Sequence, residues 1–175
     1  MDLQKLIQKY VDIGYIDEDA SSKVCQDLIL NAISNSRYAK NITVKGGVVM
    51  HNISKDMRRA TRDIDFDFIK YSLDDLSIIK FVNEVNKSLN DINFEIVGKI
   101  TPLHHQDYNG KRVFIKIKDN YNNEIETKLD IGVHKLFDLE QENYFFDFNA
   151  INLGANLLIN SPEQYLQKNE VIIKI

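Results

Sequence analysis

The chain is poor in the residues that cross-link a protein or divide it into pieces. It has one cysteine and two prolines in 175 residues. A lone Cys25 excludes an internal disulfide and fits a reducing compartment, the cytoplasm. With so little proline and no low-complexity tract, no stretch reads as a linker, and no internal repeat occurs. Long apolar runs are missing too. None approaches the roughly 20 residues that a membrane-spanning helix needs, so no membrane partner is expected. The N-terminus, MDLQKLIQKYVDIGY, lacks the apolar core of a signal peptide. Cations do not dominate either. A net charge of −4 provides no global basic field, so nucleic acid could be held only by a local patch. What remains, 43% hydrophobic and 27% charged residues, is an ordinary globular composition, long enough to bury a core.

The informative stretch runs from Val44 to Phe68. At its end, Asp63-Ile64-Asp65-Phe66-Asp67-Phe68 alternates carboxylates with large apolar residues. Along a strand this turns Ile64, Phe66 and Phe68 to a core and the three aspartates to the other face. Like charges on one rigid face repel, unless a hard divalent cation such as Mg²⁺ gathers them. Upstream, Lys45-Gly46-Gly47 follows the β-prone run Ile42-Thr43-Val44 and opens the helix-compatible run Val48-Val49-Met50. Paired glycines allow close backbone approach to a phosphate, and N–H groups at a helix start face anions. A phosphate cradle followed by a carboxylate strand describes a nucleotidyl-transfer site.

Around this centre the periodicity predicts helices ending near Gly14, from about Asp19 to Ser36, and from Asp74 to Leu89. Asn52 to Arg62, with Lys55, Arg58, Arg59 and Arg62, reads as a cationic loop. Strand patterns occupy 93–101, 112–118 and 124–133, with turns expected at Tyr108-Asn109-Gly110 and Asp119–Asn123. In the last strand Ile125, Thr127, Leu129 and Ile131 share one face; Glu124, Glu126, Lys128 and Asp130 share the other. Residues 136–160 show no clear period. Ser161-Pro162-Glu163 reads as a helix start. These elements predict an α/β (α+β) fold, a mixed sheet flanked by helices, as one domain over 1–175. Residues 1–40 form its helical flank, 41–135 the catalytic sheet core and 136–175 a C-terminal segment.

The residues Lys45-Gly46-Gly47 and Arg59-Ala60-Thr61-Arg62-Asp63-Ile64-Asp65-Phe66 resemble the nucleotidyltransferase toxins of the AbiEii type. These belong to the DNA-polymerase-beta-like nucleotidyltransferase superfamily. The pattern is a Gly-Gly or Gly-Ser pair followed by Arg-x-Ser/Thr-x-Asp-Ile-Asp-Phe, here with a somewhat longer gap between the halves. The resemblance implies Mg²⁺-dependent transfer of a nucleotide from an NTP to a hydroxyl acceptor, tRNA in some members. It places the chain in a toxin–antitoxin or abortive-infection system with a cognate antitoxin protein. It implies Asp63 and Asp65 as ligands of one or two Mg²⁺ ions, and Gly46 and Gly47 as the triphosphate site. Asp130 is the best candidate for the third carboxylate. Lys168 matches a helix lysine that contacts phosphates, although Gln167 stands where the family has glutamate. Lys45, Arg59 and Thr61 adjoin these motifs as candidate substrate contacts. The likeness spans half to two-thirds of a typical member, whose further Arg-x-x-Asp segment and helical bundle are not found here.

Other candidates are weaker. Adjacent His104 and His105 would point to opposite strand faces and lack further metal ligands, which favours a turn-edge pair over a zinc site. Lys116 and Lys118 share a face as an acceptor groove or a solvated surface. Tyr144-Phe145-Phe146 and Phe148 read as core. Two alternatives remain: a small-molecule nucleotidyltransferase of the antibiotic-modifying kind, and a catalytically silent nucleotide-binding module.

Overall fold

The alternation at 64–68 becomes the central strand of the sheet. In this computed structural model the chain is described over residues 1–57, 60–105, 108–134 and 140–161. Strand β1 (Ile42–Lys45) leads into helix α3 (Gly47–Ser54), and the chain returns as β2 (Ile64–Phe68), antiparallel to β1. Before them come α1 (Leu3–Asp12) and α2 (Asp17–Ser34); after them come α4 (Asp75–Asn86), β3 (Ile92–His105), β4 (Tyr108–Asp119) and β5 (Glu124–Val133). Strands β6 (Gln141–Phe148) and β7 (Leu153–Asn160) flank a short 3-10 turn at Asn149–Ile151. The seven strands are ordered β3-β4-β5-β2-β1-β7-β6. The β2–β5 and β1–β7 pairs are parallel and the rest antiparallel, so the sheet is mixed, as expected.

One face of the sheet carries the core. Ile64, Phe66 and Phe68 are fully buried there, beside Ile42 and Val44 of β1 and Leu129 and Ile131 of β5. Phe81 of α4 sits edge-on to Phe68, with ring centroids 5.3 Å apart, and Tyr38 stands perpendicular to Phe81 at 5.1 Å. Helix α2 is buried almost all round, although it carries Lys23, Gln26, Asp27 and Asn31. Simple amphipathic patterning would leave such residues outside. They are inside because α1 and the 149–151 turn cover the helix's second side. There the Asp27 carboxylate accepts from Lys23 Nζ at 2.8 Å, from the Tyr10 hydroxyl and from the Ala150 N–H. Burial pushes Asp27 above the usual carboxylate range, and Lys23 opposes that shift.

Three local expectations change. The segment beginning at Asn52 is not all loop: α3 continues to Ser54, where Asn52 Nδ2 donates to the Val48 carbonyl and Lys55 caps the helix at φ 55°. Tyr108, Asn109 and Gly110 are strand rather than turn, paired with His105, His104 and Leu103. The aperiodic 136–160 region supplies two strands, β6 and β7. Phe146 and Phe148 are buried as core, whereas Phe145 is exposed. The helix expected after Ser161 lies outside the described residues. Among the described residues no helix is long and apolar enough to cross a membrane.

The N-terminal helix is tied to the sheet by one carboxylate. Asp119, the last residue of β4, accepts from the backbone N–H of Leu3 (2.8 Å), Tyr121 (2.8 Å) and Asn123 (2.9 Å) and from Asn123 Nδ2 (2.8 Å). Partial burial alone would raise its pKa, but these donors, Leu3 first, overcome that and hold it at about 2. A carboxyl lowered in the folded state stabilises the fold above its ordinary pKa, and that stabilisation disappears as pH falls toward the folded value. Asp119→Ala should therefore cost about 2 kcal/mol at pH 7. The difference from wild type should shrink between pH 4 and pH 2. Chemical denaturation across this range checks both expectations.

Candidate active site

The turn between β1 and α3 is built for close approach. Gly46 has φ 74° and ψ −151°, a conformation essentially restricted to glycine. A Cβ on it would collide with the Asp65 carboxylate. The Thr61 side chain lies over Gly47, so that a Cβ there would come within 2.8 Å of Thr61 Cβ and Oγ1. The two glycines are thus the reason α3 can begin against Asp65 and Thr61. The N-cap residue Gly46 has no side chain to cap α3, and N–H groups in the first turn of a helix suit an anion.

The strand register then lines up four charges. Lys45 on β1 stands opposite Asp65 on β2, Asp65 opposite Asp130 on β5, and Asp130 opposite Arg112 on β4. Neighbouring strands are about 4.8 Å apart, so Asp65 and Asp130 are like charges in direct lateral proximity. Each carboxylate of the region meets a different environment. Arg112 grips Asp130 with two bonds, Nε to Oδ1 at 2.7 Å and Nη2 to Oδ2 at 2.8 Å. Lys128 Nζ lies 3.3 Å from Asp63, and Lys45 Nζ lies 2.7 Å from the buried Asp67. The Asp65 side chain makes no hydrogen bond or ion pair with any described residue. Burial pushes its carboxyl up to about 6, reinforced by the charges of Asp130 and Asp63 and opposed by Lys45 and Arg112.

The fold therefore brings together Lys45, Gly46, Gly47, Thr61, Asp63, Asp65 and Asp130, which are spread over 86 positions of sequence. Arg59 and Lys168 lie outside the described residues. The three-aspartate face divides: Asp65 is half-buried, while Asp67 is buried against Lys45. Arg112 is the residue that sequence reasoning missed. Its alternation with Val113 and Ile115 places it on the polar face of a strand, but only the β4–β5 register sets it on Asp130. Lys116 reaches Glu124 and Glu126, and Lys118 reaches Glu95, at 2.8–3.5 Å.

Among the described residues, no three His, Cys, Asp or Glu side chains gather around one point as a finished metal site. The donor chemistry still fits a hard divalent cation. The Asp65 side chain is unpaired among the described residues, Asp63 lies two positions before it and is partly exposed, and the carboxylate oxygens can be supplemented by water and phosphate. A cation would also relieve the repulsion that raises Asp65.

Two outcomes follow from this geometry. In the metal-free protein, Asp65 should titrate with a midpoint near 6 by carboxyl ¹³C NMR, and Asp130→Asn should lower that midpoint by removing the largest opposing charge. A wild-type midpoint near 4 would contradict the arrangement. Gly46→Ala should displace the Asp65 carboxylate and cost about 1–3 kcal/mol of stability in thermal or chemical denaturation, because alanine is strained at this φ and ψ.

A family model, the nucleotidyl transferase AbiEii toxin of type IV toxin–antitoxin systems, matches residues 28–164. The match contains β1–β7, the glycine turn and all three aspartates of the site. No curated protein matches the chain. On a match over well more than half its length, with that turn and those carboxylates inside it, the chain belongs to the AbiEii family of nucleotidyl transferase toxins.

Proposed function

We propose that residues 1–175 form a single nucleotidyltransferase-like domain. It moves a nucleotide monophosphate from an NTP onto a hydroxyl acceptor and releases pyrophosphate. The observation that carries this reading is the Gly46–Gly47 turn, where the space for two Cβ atoms is taken by Asp65 and Thr61. It puts a helix start suited to phosphate beside carboxylates suited to a cation.

In this reading the triphosphate lies along Gly46, Gly47 and the first N–H groups of α3, with Lys45, Arg59 and Thr61 beside it and Lys168 as a further point charge. Asp63 and Asp65, completed by Asp130, would hold one or two Mg²⁺ ions, whose chemistry is to neutralise charge on the phosphoryl oxygens and activate the acceptor oxygen. Asp130, held by Arg112, stands next to Asp65 where the acceptor proton can be taken up. The acceptor is RNA, tRNA in particular, and a cognate antitoxin restrains the enzyme in the cytoplasm.

One observation favours a smaller acceptor. Lys116 and Lys118 on the open sheet face are paired with glutamates, which weakens any local cationic track for RNA. The test separates the two. Each α-labelled NTP is incubated with Mg²⁺ and total bacterial tRNA, with Asp65→Ala as control. Label in RNA should fall at least about 100-fold in the variant, as expected when a metal-holding carboxylate is removed. Pyrophosphate release without RNA labelling would point to a small-molecule acceptor. Undiminished transfer by Asp65→Ala would overturn the assignment.

A further inference from the structure

Helix α2 holds a glutamine where stability alone would favour an apolar residue. Gln26 is 1% exposed, between Cys25 and Asp27 on a helix packed on all sides. Its Nε2 donates to the backbone carbonyl of Thr61 at 2.6 Å, across 35 positions of sequence. Its Oε1 is buried and has no partner among the described residues. One net hydrogen bond contributes about 1 kcal/mol, whereas an unpaired buried acceptor costs about 1–3 kcal/mol. The amide therefore gives the fold nothing that a methionine or leucine would not. What it does provide is a fixed location for one carbonyl, and that carbonyl belongs to the segment entering the metal strand.

Residues 61–63 join the glycine turn to the head of β2. The Thr61 side chain lies on Gly47 at the start of α3, and Asp63 follows two residues later, beside Lys128. Arg62 between them reaches Glu18 at 2.7 Å and Asp19 at 3.3 Å, but these pairs are solvent-exposed and worth little. Among the described residues, the Gln26 bond links this segment to the buried side of α2.

We propose that Gln26 is a positioning residue for the nucleotide site. From inside α2 it holds the Thr61 carbonyl, and so keeps Thr61 seated on the glycine turn and Asp63 at the head of β2. It touches neither substrate nor metal; it acts through Thr61. The role rests on the nucleotidyltransferase reading. It follows from the sensitivity of such sites to displacement, since a shift of about 1 Å can cost about 100-fold in rate.

The test is Gln26→Met, which retains length and volume and removes both polar atoms. Three quantities are read: melting temperature, backbone hydrogen exchange of residues 60–65 without ligand, and affinity for an NTP with Mg²⁺ alongside transfer kinetics. The melting temperature should hold or rise. Exchange at 60–65 should speed up about tenfold while β5 is unchanged, and NTP affinity should fall about tenfold. A residue that merely stabilises the fold would lower the melting temperature without a local change in exchange. Unchanged exchange at 60–65 overturns the proposal, and so does faster exchange with undiminished NTP affinity. If Gln26→Met does not fold, Gln26→Asn, which retains the amide but falls short of the carbonyl, carries the same expectations. Wild-type protein that binds NTP but transfers nothing removes the reaction while the affinity comparison still decides the tether. Wild-type protein that binds no NTP removes the site and this role together.

Discussion

The structure depends on one unfavourable contact, the placing of Asp65 next to Asp130 at the same level of adjacent parallel strands. Two carboxylates in lateral contact repel, and burial on a sheet face removes much of the water that would screen them. The fold offsets this unevenly. Arg112 neutralises Asp130 with a two-pronged grip, and Lys45 is engaged with Asp67. The Asp65 side chain has no hydrogen-bond or ion-pair partner among the described residues, and its carboxyl is pushed up to about 6. One carboxylate is anchored and its neighbour has no side-chain partner among the described residues, a donor chemistry that fits a hard divalent cation.

The same constraint explains the glycine turn. Because the Asp65 carboxylate occupies the space beside Gly46, only a residue without Cβ can stand there, and only glycine adopts its φ and ψ without strain. The glycine turn and the Asp65 carboxylate are therefore not two neighbouring features. They are one packing solution, in which either half excludes larger side chains from the other.

Behind the site, α2 departs from the pattern of a surface helix. Its buried Asp27, itself paired with Lys23, bonds to α1 and to the 149–151 turn, and its buried Gln26 bonds to the segment before β2. Buried polar contacts of this kind specify geometry more than they stabilise it. The helical layer thereby fixes where Thr61 and Asp63 sit, and does more than cover the sheet.

Local chemistry decided much of this protein at the level of sequence. Strict alternation in Asp63–Phe68 identified the central strand and its core face, because strand side chains alternate whatever the partner strands are. The Gly-Gly pair and the Asp-Ile-Asp-Phe run were enough to mark the family. The pattern assigned Glu124 to Ile131 of β5 to the correct faces, although Val133, at the strand's end, is exposed. Where two signals compete, sequence was insufficient: Asn52–Ser54 carry little apolar material yet extend α3, and the mixed pattern of β6 and β7 hides two strands. Tertiary structure alone decided which strands are neighbours, since register is a long-range property. It therefore decided that Arg112 meets Asp130, that Lys45 meets Asp67 rather than staying free of the sheet, and that Gln26 inside a helix reaches Thr61. Periodicity gives the face on which a side chain lies, and only the folded chain determines what it meets there.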